Sequence, residues 1–183
     1  MMILVSGGAR SGKSKRGEEL LQSIEGKKAY IATAIPFDEE MKARILKHQE
    51  RRGEQWDTLE AYMDLEQQLD FEDYQGILLD CVTLWISNLF FYYLGDRDID
   101  CMDQDEIQEV EDLIMEQVER FIVRVSNYSG KLVLVTNEIG MGIVPEHRMS
   151  RVFRDIQGRV NQKLGSVCQQ LELVVCGVRI KVK

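Results

Sequence analysis

Eight residues near the N-terminus limit the possible folds of this chain more than any other stretch. Gly7-Gly8-Ala9-Arg10-Ser11-Gly12-Lys13-Ser14 follows the apolar run Met2-Ile3-Leu4-Val5 and leads into a helical pattern over 13–24. The spacing fits G-x-x-x-x-G-K-[ST], a phosphate-binding loop between a buried strand and a helix. Glycines let the backbone curl so that successive N–H groups point inward at an anion. The helix that follows adds its free N–H donors and the positive end of its dipole. Lys13 is then placed for the β- and γ-phosphates of ATP or GTP, and the Ser14 hydroxyl for Mg²⁺.

The rest of the chain repeats the alternation that begins there. Apolar, β-type runs fall at 3–6, 29–33, 56–60, 77–79, 131–136, 172–176 and 178–182. Helical patterns fall at 13–24, 38–52, near 64–69, and at 83–94, 103–126 and 149–171. Such alternation predicts an α/β fold, a mostly parallel sheet with helices on both faces. With no repeat or linker in view, residues 1–183 read as a single nucleotide-binding catalytic domain.

The formal net charge is -8, which argues against a nucleic-acid partner, because a phosphate backbone needs a basic footprint. Cys81, Cys101, Cys168 and Cys176 lack metal-site or redox-pair spacing and read as reduced, buried thiols. The N-terminus shows no signal-peptide pattern, and the apolar stretch 84–94 is too short to span a bilayer. A cytoplasmic location is expected.

Beyond the loop, three places carry candidate chemistry. Asp80 ends the run Ile77-Leu78-Leu79 and suits a second Mg²⁺ ligand with Ser14. The alternative is a solvated strand end or a cap for the helix beginning at Thr83. In a helix over 38–52, Arg44, His48 and Arg52 share one face. Cations there favour the neutral, nucleophilic imidazole and attract a triphosphate. Two readings of His48 stand on these residues, a phosphorus nucleophile or an exposed residue of a charged helix. Asn137 and Glu138 follow a strand end, where ligands of open α/β sheets gather, and can serve either a site or a turn.

Taken in order, the motifs are similar to those of the bifunctional adenosylcobinamide kinase/adenosylcobinamide-phosphate guanylyltransferase family of cobalamin biosynthesis. The likeness runs nearly end to end. It rests on the loop at 7–14, on Tyr30-Ile31-Ala32-Thr33, and on Arg44-Ile45, His48, Arg52, Trp56, Thr58 and Glu60 at fixed spacing. It continues through Leu79-Asp80-Cys81-Val82-Thr83-Leu84-Trp85, Thr136-Asn137-Glu138-Ile139-Gly140-Met141-Gly142-Ile143-Val144-Pro145, and Phe153-Arg154-Asp155-Ile156 with Gly158-Arg159-Val160-Asn161-Gln162.

The resemblance implies a RecA-like P-loop NTPase fold and two reactions. ATP or GTP phosphorylates adenosylcobinamide. GTP then gives GMP to His48, and adenosylcobinamide phosphate takes it to form adenosylcobinamide-GDP. His48 and Lys13 are the catalytic residues expected. Thr33, Gln49, Arg52, Glu60 and Asp80 join the loop in the nucleotide site, and the resemblance implies a homo-oligomer, a trimer. A kinase of another small molecule, with His48 structural, is the rival reading. Three departures stand out. His147 replaces a common Asn, Arg52-Gly53 replaces a common Arg-Pro, and the acidic stretch 96–119 reads as a solvated helix face.

Overall fold

The computed structural model describes residues 1–33 and 56–183. The expected helix over 38–52, with His48, Gln49 and Arg52, lies outside the described residues. Seven strands form one sheet: β1 (Met2–Gly7), β2 (Lys28–Ala32), β3 (Trp56–Glu60), β4 (Gly76–Asp80), β5 (Lys131–Asn137), β6 (Gln170–Val175) and β7 (Val178–Lys181). Their order is β3-β2-β4-β5-β1-β6-β7. Every pairing is parallel except β6 with β7, which closes the edge as an antiparallel hairpin.

The central strands are apolar on both faces because both faces are covered. Leu4, Ile31, Ile77, Leu79, Leu132 and Leu134 point into one core. Their neighbours Ile3, Val5, Tyr30, Leu78, Val133 and Val135 point into another. Four helices are described: α1 (Lys13–Gln22), α2 (Val82–Leu94), α3 (Gln104–Ser126) and α4 (Arg148–Val167). Helices α2, α3 and α4 pack on the first face, with Trp85, Phe90 and Phe121 fully buried among them.

On the second face α1 lies very close to the sheet. A Cβ on Gly17 would stand 2.9 Å from Val135 Cγ2 and 3.0 Å from Leu78 Cδ1. Glycine at that position lets the helix that carries Lys13 and Ser14 sit directly on the strands.

Helix α3 starts where the sequence says it should. The Asp103 side chain accepts from Glu106 N at 2.9 Å, and Glu106 Oε2 accepts from Asp103 N at 2.8 Å, a reciprocal capping box. Four expectations need correction. The helix expected near 64–69 is a single 3₁₀ turn, Leu65–Gln67, because Asp64 before it is left-handed with φ 48°. The helix expected over 149–171 stops at Val167, because Cys168 turns extended and Gln170 joins β1 as part of β6.

Cys81 and Cys168 are buried, whereas Cys101 and Cys176 are exposed. Cys176 sits on the tight β6–β7 turn with φ 51°, outside any core. The acidic stretch 96–119 is not all solvated. Glu111 is buried and takes a bidentate grip from Arg159, which ties α3 to α4. Among the described residues no helix is long and apolar enough to cross a membrane.

Candidate active site

The phosphate loop keeps its shape through glycine chemistry and through two neighbours. Gly7 ends β1, where a Cβ would lie 2.5 Å from Val174 O and 2.6 Å from Ser11 Oγ, so a side chain has no room. Gly12 has φ +98°, a left-handed value that favours glycine. Ser11 N donates to Gly8 O at 3.3 Å and closes the turn. Gly177 N, from the β6–β7 hairpin, donates to Ser11 O at 2.9 Å, and Glu138 N donates to Gly7 O at 3.1 Å.

Within the loop, Lys13 is buried and its Nζ donates to Gly8 O at 2.9 Å. The Ser11 hydroxyl is buried and has no hydrogen-bond partner among the described residues. A phosphate oxygen supplies the kind of acceptor such a group lacks. Gly8, Ala9 and Arg10 are exposed at the mouth of the loop.

Asp80 stands across from it. Strand β5 lies between β1 and β4, yet Ser14 Oγ donates to Asp80 Oδ1 at 3.4 Å. Tyr30 OH donates to Oδ2 at 3.3 Å. A hydroxyl and a carboxylate beside a phosphate loop form a hard-oxygen pair that fits Mg²⁺. Among the described residues no three His, Cys, Asp or Glu side chains cluster for a metal.

The other expected site residues divide. Glu60 is exposed at the end of β3, and both Glu60 and Asp80 are level with Ala32 in the strand register. Thr33 is buried instead. Its hydroxyl donates to Cys81 O at 2.7 Å and accepts from Cys81 N at 3.1 Å, so it holds the turn after Asp80. The Cys81 thiol is pushed up to about 11 by burial and by the neighbouring Asp80 charge, which keeps it protonated at neutral pH. His48, Gln49 and Arg52 lie outside the described residues.

Asn137 and Glu138 reach the same rim at the end of β5. Asn137 N donates to Thr83 Oγ1 at 2.9 Å, and Asn161 Nδ2 donates to Asn137 O at 3.2 Å. Glu138 Oε1 accepts from Gly140 N at 2.9 Å. His147 precedes α4 and makes no side-chain capping bond.

Sequence reasoning missed several supporting groups. Tyr30 shares a face with Asp80 because Tyr30 pairs with Leu78 and Ala32 with Asp80, a relation visible only once β2 and β4 are neighbours. Arg16 on α1 meets Glu172 on β6 through Nε at 2.7 Å and Nη2 at 2.9 Å, 156 positions further along the chain. Their opposite charges within apolar patterns were the available signal, but no local spacing joins them.

Comparison with known proteins agrees with this geometry. The family described as "Cobinamide kinase / cobinamide phosphate guanyltransferase" matches residues 3–182. A protein of Escherichia coli (strain K12) named "Bifunctional adenosylcobalamin biosynthesis protein CobU" is 45% identical over 185 aligned positions, covering 100% of both chains. Its namesake in Salmonella typhimurium is 42% identical with the same coverage. "Bifunctional adenosylcobalamin biosynthesis protein CobP" of Pseudomonas aeruginosa is 34% identical, covering 100% of this chain and 98% of its own. With its phosphate loop, Asp80 opposite Ser14 and a match along almost its whole length, the chain belongs to the cobinamide kinase/cobinamide phosphate guanyltransferase family of P-loop NTPases.

Proposed function

We propose that this enzyme carries out both reactions on adenosylcobinamide around one phosphate loop. The observation that carries the reading is the loop itself, with buried Lys13 inside it and Ser14 facing Asp80 at 3.4 Å, in a chain of this family. In the first reaction a substrate hydroxyl oxygen attacks the γ-phosphorus of ATP or GTP. The new O–P bond forms as the bond to the β-bridging oxygen breaks, the nucleoside diphosphate leaves, and the hydroxyl proton passes to solvent. Lys13 and the amides of residues 7–14 hold the β- and γ-phosphate oxygens and stabilise their growing charge.

In the second reaction His48 attacks the α-phosphorus of GTP. A P–N bond forms, the α–β bridge breaks, and pyrophosphate remains in the loop. A phosphate oxygen of adenosylcobinamide phosphate then attacks the same phosphorus and the P–N bond breaks, giving adenosylcobinamide-GDP and free imidazole. Gln49, Arg52, Glu60 and Asp80 line this nucleotide, and Thr33 acts through the turn at Cys81. Ser14 and Asp80 would hold Mg²⁺, which neutralises charge on the phosphates. The location is the cytoplasm, and the enzyme assembles from copies of itself. The exposed Phe91 and Tyr92 on apolar α2 support the assembly.

Incubation with GTP labelled at the α-phosphorus tests the covalent step. Acid-labile, alkali-stable label should stay on the denatured protein and disappear in His48→Ala. Label that persists in that variant would remove His48 from the mechanism.

A further inference from the structure

A cluster of buried polar side chains sits under the end of β5, and neither reaction has yet used it. Thr136 and Gln157 are wholly buried. Thr136 Oγ1 donates to Asn161 Oδ1 at 2.8 Å, and Gln157 Nε2 donates to the same oxygen at 2.9 Å. Gln157 and Asn161 both belong to α4. Buried polar groups are costly unless paired, and apolar side chains would serve packing alone as well. The cluster holds the backbone of Asn137 on two sides. Asn161 Nδ2 donates to Asn137 O at 3.2 Å, and Asn137 N donates to Thr83 Oγ1 at 2.9 Å.

Strand register decides where the Asn137 side chain goes. Ile3, Val5 and Gly7 of β1 pair with Val133, Val135 and Asn137 of β5. The first two pairs face α1, and alternation puts the Asn137 side chain on that face too, beside Gly7 and the phosphate loop. Strand β5 runs between β1 and β4, and Val135 is level with Asp80. Asn137 therefore stands about 6–7 Å beyond Asp80 along the strand direction. It is half-buried, and its carboxamide has no hydrogen-bond partner among the described residues. The Ser11 hydroxyl, 2.6 Å from where a Gly7 Cβ would stand, is a second such group. An unengaged amide on a fixed backbone, between a phosphate loop and a carboxylate, is preorganised for a ligand.

We propose that Asn137 is a catalytic residue of phosphoryl transfer alone, and that Asn161 is its positioning residue. The inference rests on the bifunctional reading above. With the β-phosphate in the loop, the γ-phosphate lies toward Ser14 and Asp80, over the end of β5. Asn137 Nδ2 donates to a γ-phosphate oxygen, and Oδ1 accepts from the substrate hydroxyl, which aligns that oxygen with the phosphorus. The new O–P bond forms and the bond to the β-bridging oxygen breaks while the amide takes no proton. The hydroxyl proton leaves to solvent. Guanylyl transfer develops its charge at the α-phosphorus and the α–β bridge. A contact with the γ-phosphate is then equal before and during reaction, and it does not change the rate.

Steady-state phosphorylation of adenosylcobinamide and single-turnover formation of enzyme-bound GMP from α-labelled GTP, both on the full chain, test these roles. Asn137→Ala removes an amide that holds nothing in the fold, so the thermal midpoint should stay near wild type. Its kcat for phosphorylation should fall about 100-fold. KM for ATP and the rate of GMP attachment should each stay within about threefold. Asn161→Asp keeps the acceptor for Thr136 and Gln157 but turns a carboxylate oxygen on the Asn137 carbonyl, and kcat should fall about tenfold. Combined with Asn137→Ala it should add nothing, because no amide is left to position. An unchanged kcat in Asn137→Ala, or equal losses in both reactions, overturns the role of Asn137. An unchanged kcat in Asn161→Asp, or additive losses in the double variant, overturns the positioning by α4. A wild type that phosphorylates adenosylcobinamide but binds no GMP overturns the bifunctional reading and leaves Asn137 to be judged on kcat. A wild type that transfers no phosphoryl group overturns both.

Discussion

The two faces of the sheet differ in what they hold. The face under α2, α3 and α4 is thick and aromatic. Trp85 and Phe121 meet edge to face at 5.3 Å, Phe71 and Phe121 at 6.2 Å, and all three are fully buried. The face under α1 is thin and carries the candidate site, with Lys13, Ser14, Tyr30 and Asp80 gathered at one end of it. Alternation along a single strand feeds both. In β4, Leu79 points to the aromatic side, while Leu78 and then Asp80 point to the α1 side. One face therefore supplies most of the stability, and the other places charged groups on a stiff support.

Substitutions on each face should separate these roles. Trp85→Ala removes the largest side chain of the thick core and the Nε1 bond to Tyr62 O at 2.8 Å. The expected loss is ~3–5 kcal/mol of unfolding free energy, read by denaturant titration. Activity per folded molecule should change little. Lys13→Ala is the mirror image. It should cost both transfer reactions at least ~100-fold, since a preorganised donor to the phosphates is lost. Its thermal midpoint should stay near that of the wild type. A Lys13 variant that unfolds early would join the two faces into one unit and end the distinction.

A glycine pair sharpens the contrast at lower cost. Gly17→Ala places a Cβ 2.9 Å from Val135 Cγ2, so α1 must lift or the strand side chains must move. The expected destabilisation is ~1–3 kcal/mol, reduced by alanine's helix preference of up to ~1 kcal/mol. Because Lys13 and Ser14 ride on α1, activity should fall too. Gly165 lies in α4, where an added Cβ would meet nothing within 4 Å. Gly165→Ala should stabilise by ~0.5–1 kcal/mol and leave both reactions alone. Thermal melts and the two assays on these variants give the answer together.

The contrast also marks what the sequence could disclose. The loop is contiguous, so its glycines, lysine and serine name it by spacing alone. Strand β3 falls at 56–60 as expected, because alternation and flanking charge are local signals. Helix ends were less legible. The left-handed Asp64 and the extended Cys168 break helical patterns that the surrounding residues continue in sequence. Least legible was anything set by strand order. Ser14 meets Asp80, Tyr30 meets Asp80 and Arg16 meets Glu172 across 66, 50 and 156 residues. Glu111 looked like one more charge on a wet helix until α4 brought Arg159 against it.

Arg16 and Glu172 give the effect whose sign is most informative. The Arg16 guanidinium, donating to Glu172, holds that carboxyl below its usual 4.5. Gln170 Nε2 also donates to it at 2.7 Å, Arg179 adds a weaker pull, and Glu19 lies 3.7 Å from Arg16. A carboxyl whose folded pKa is depressed contributes stability above its unfolded pKa and loses it as pH falls through the folded value. The wild-type midpoint should therefore drop as pH falls from about 6 to about 3.5, partly through this group. In Arg16→Met the carboxyl is left buried with Gln170 and the weaker pull of Arg179, and burial then outweighs them and pushes its pKa up. The sign reverses: its contribution is present below the unfolded pKa and fades as pH rises through the folded one. The variant's melting curve should be flatter over that interval, and the gap to wild type widest near neutral pH. A gap that stays constant across the interval would mean that Glu172 does not titrate with folding, and that the clasp between α1 and the hairpin is steric instead of electrostatic.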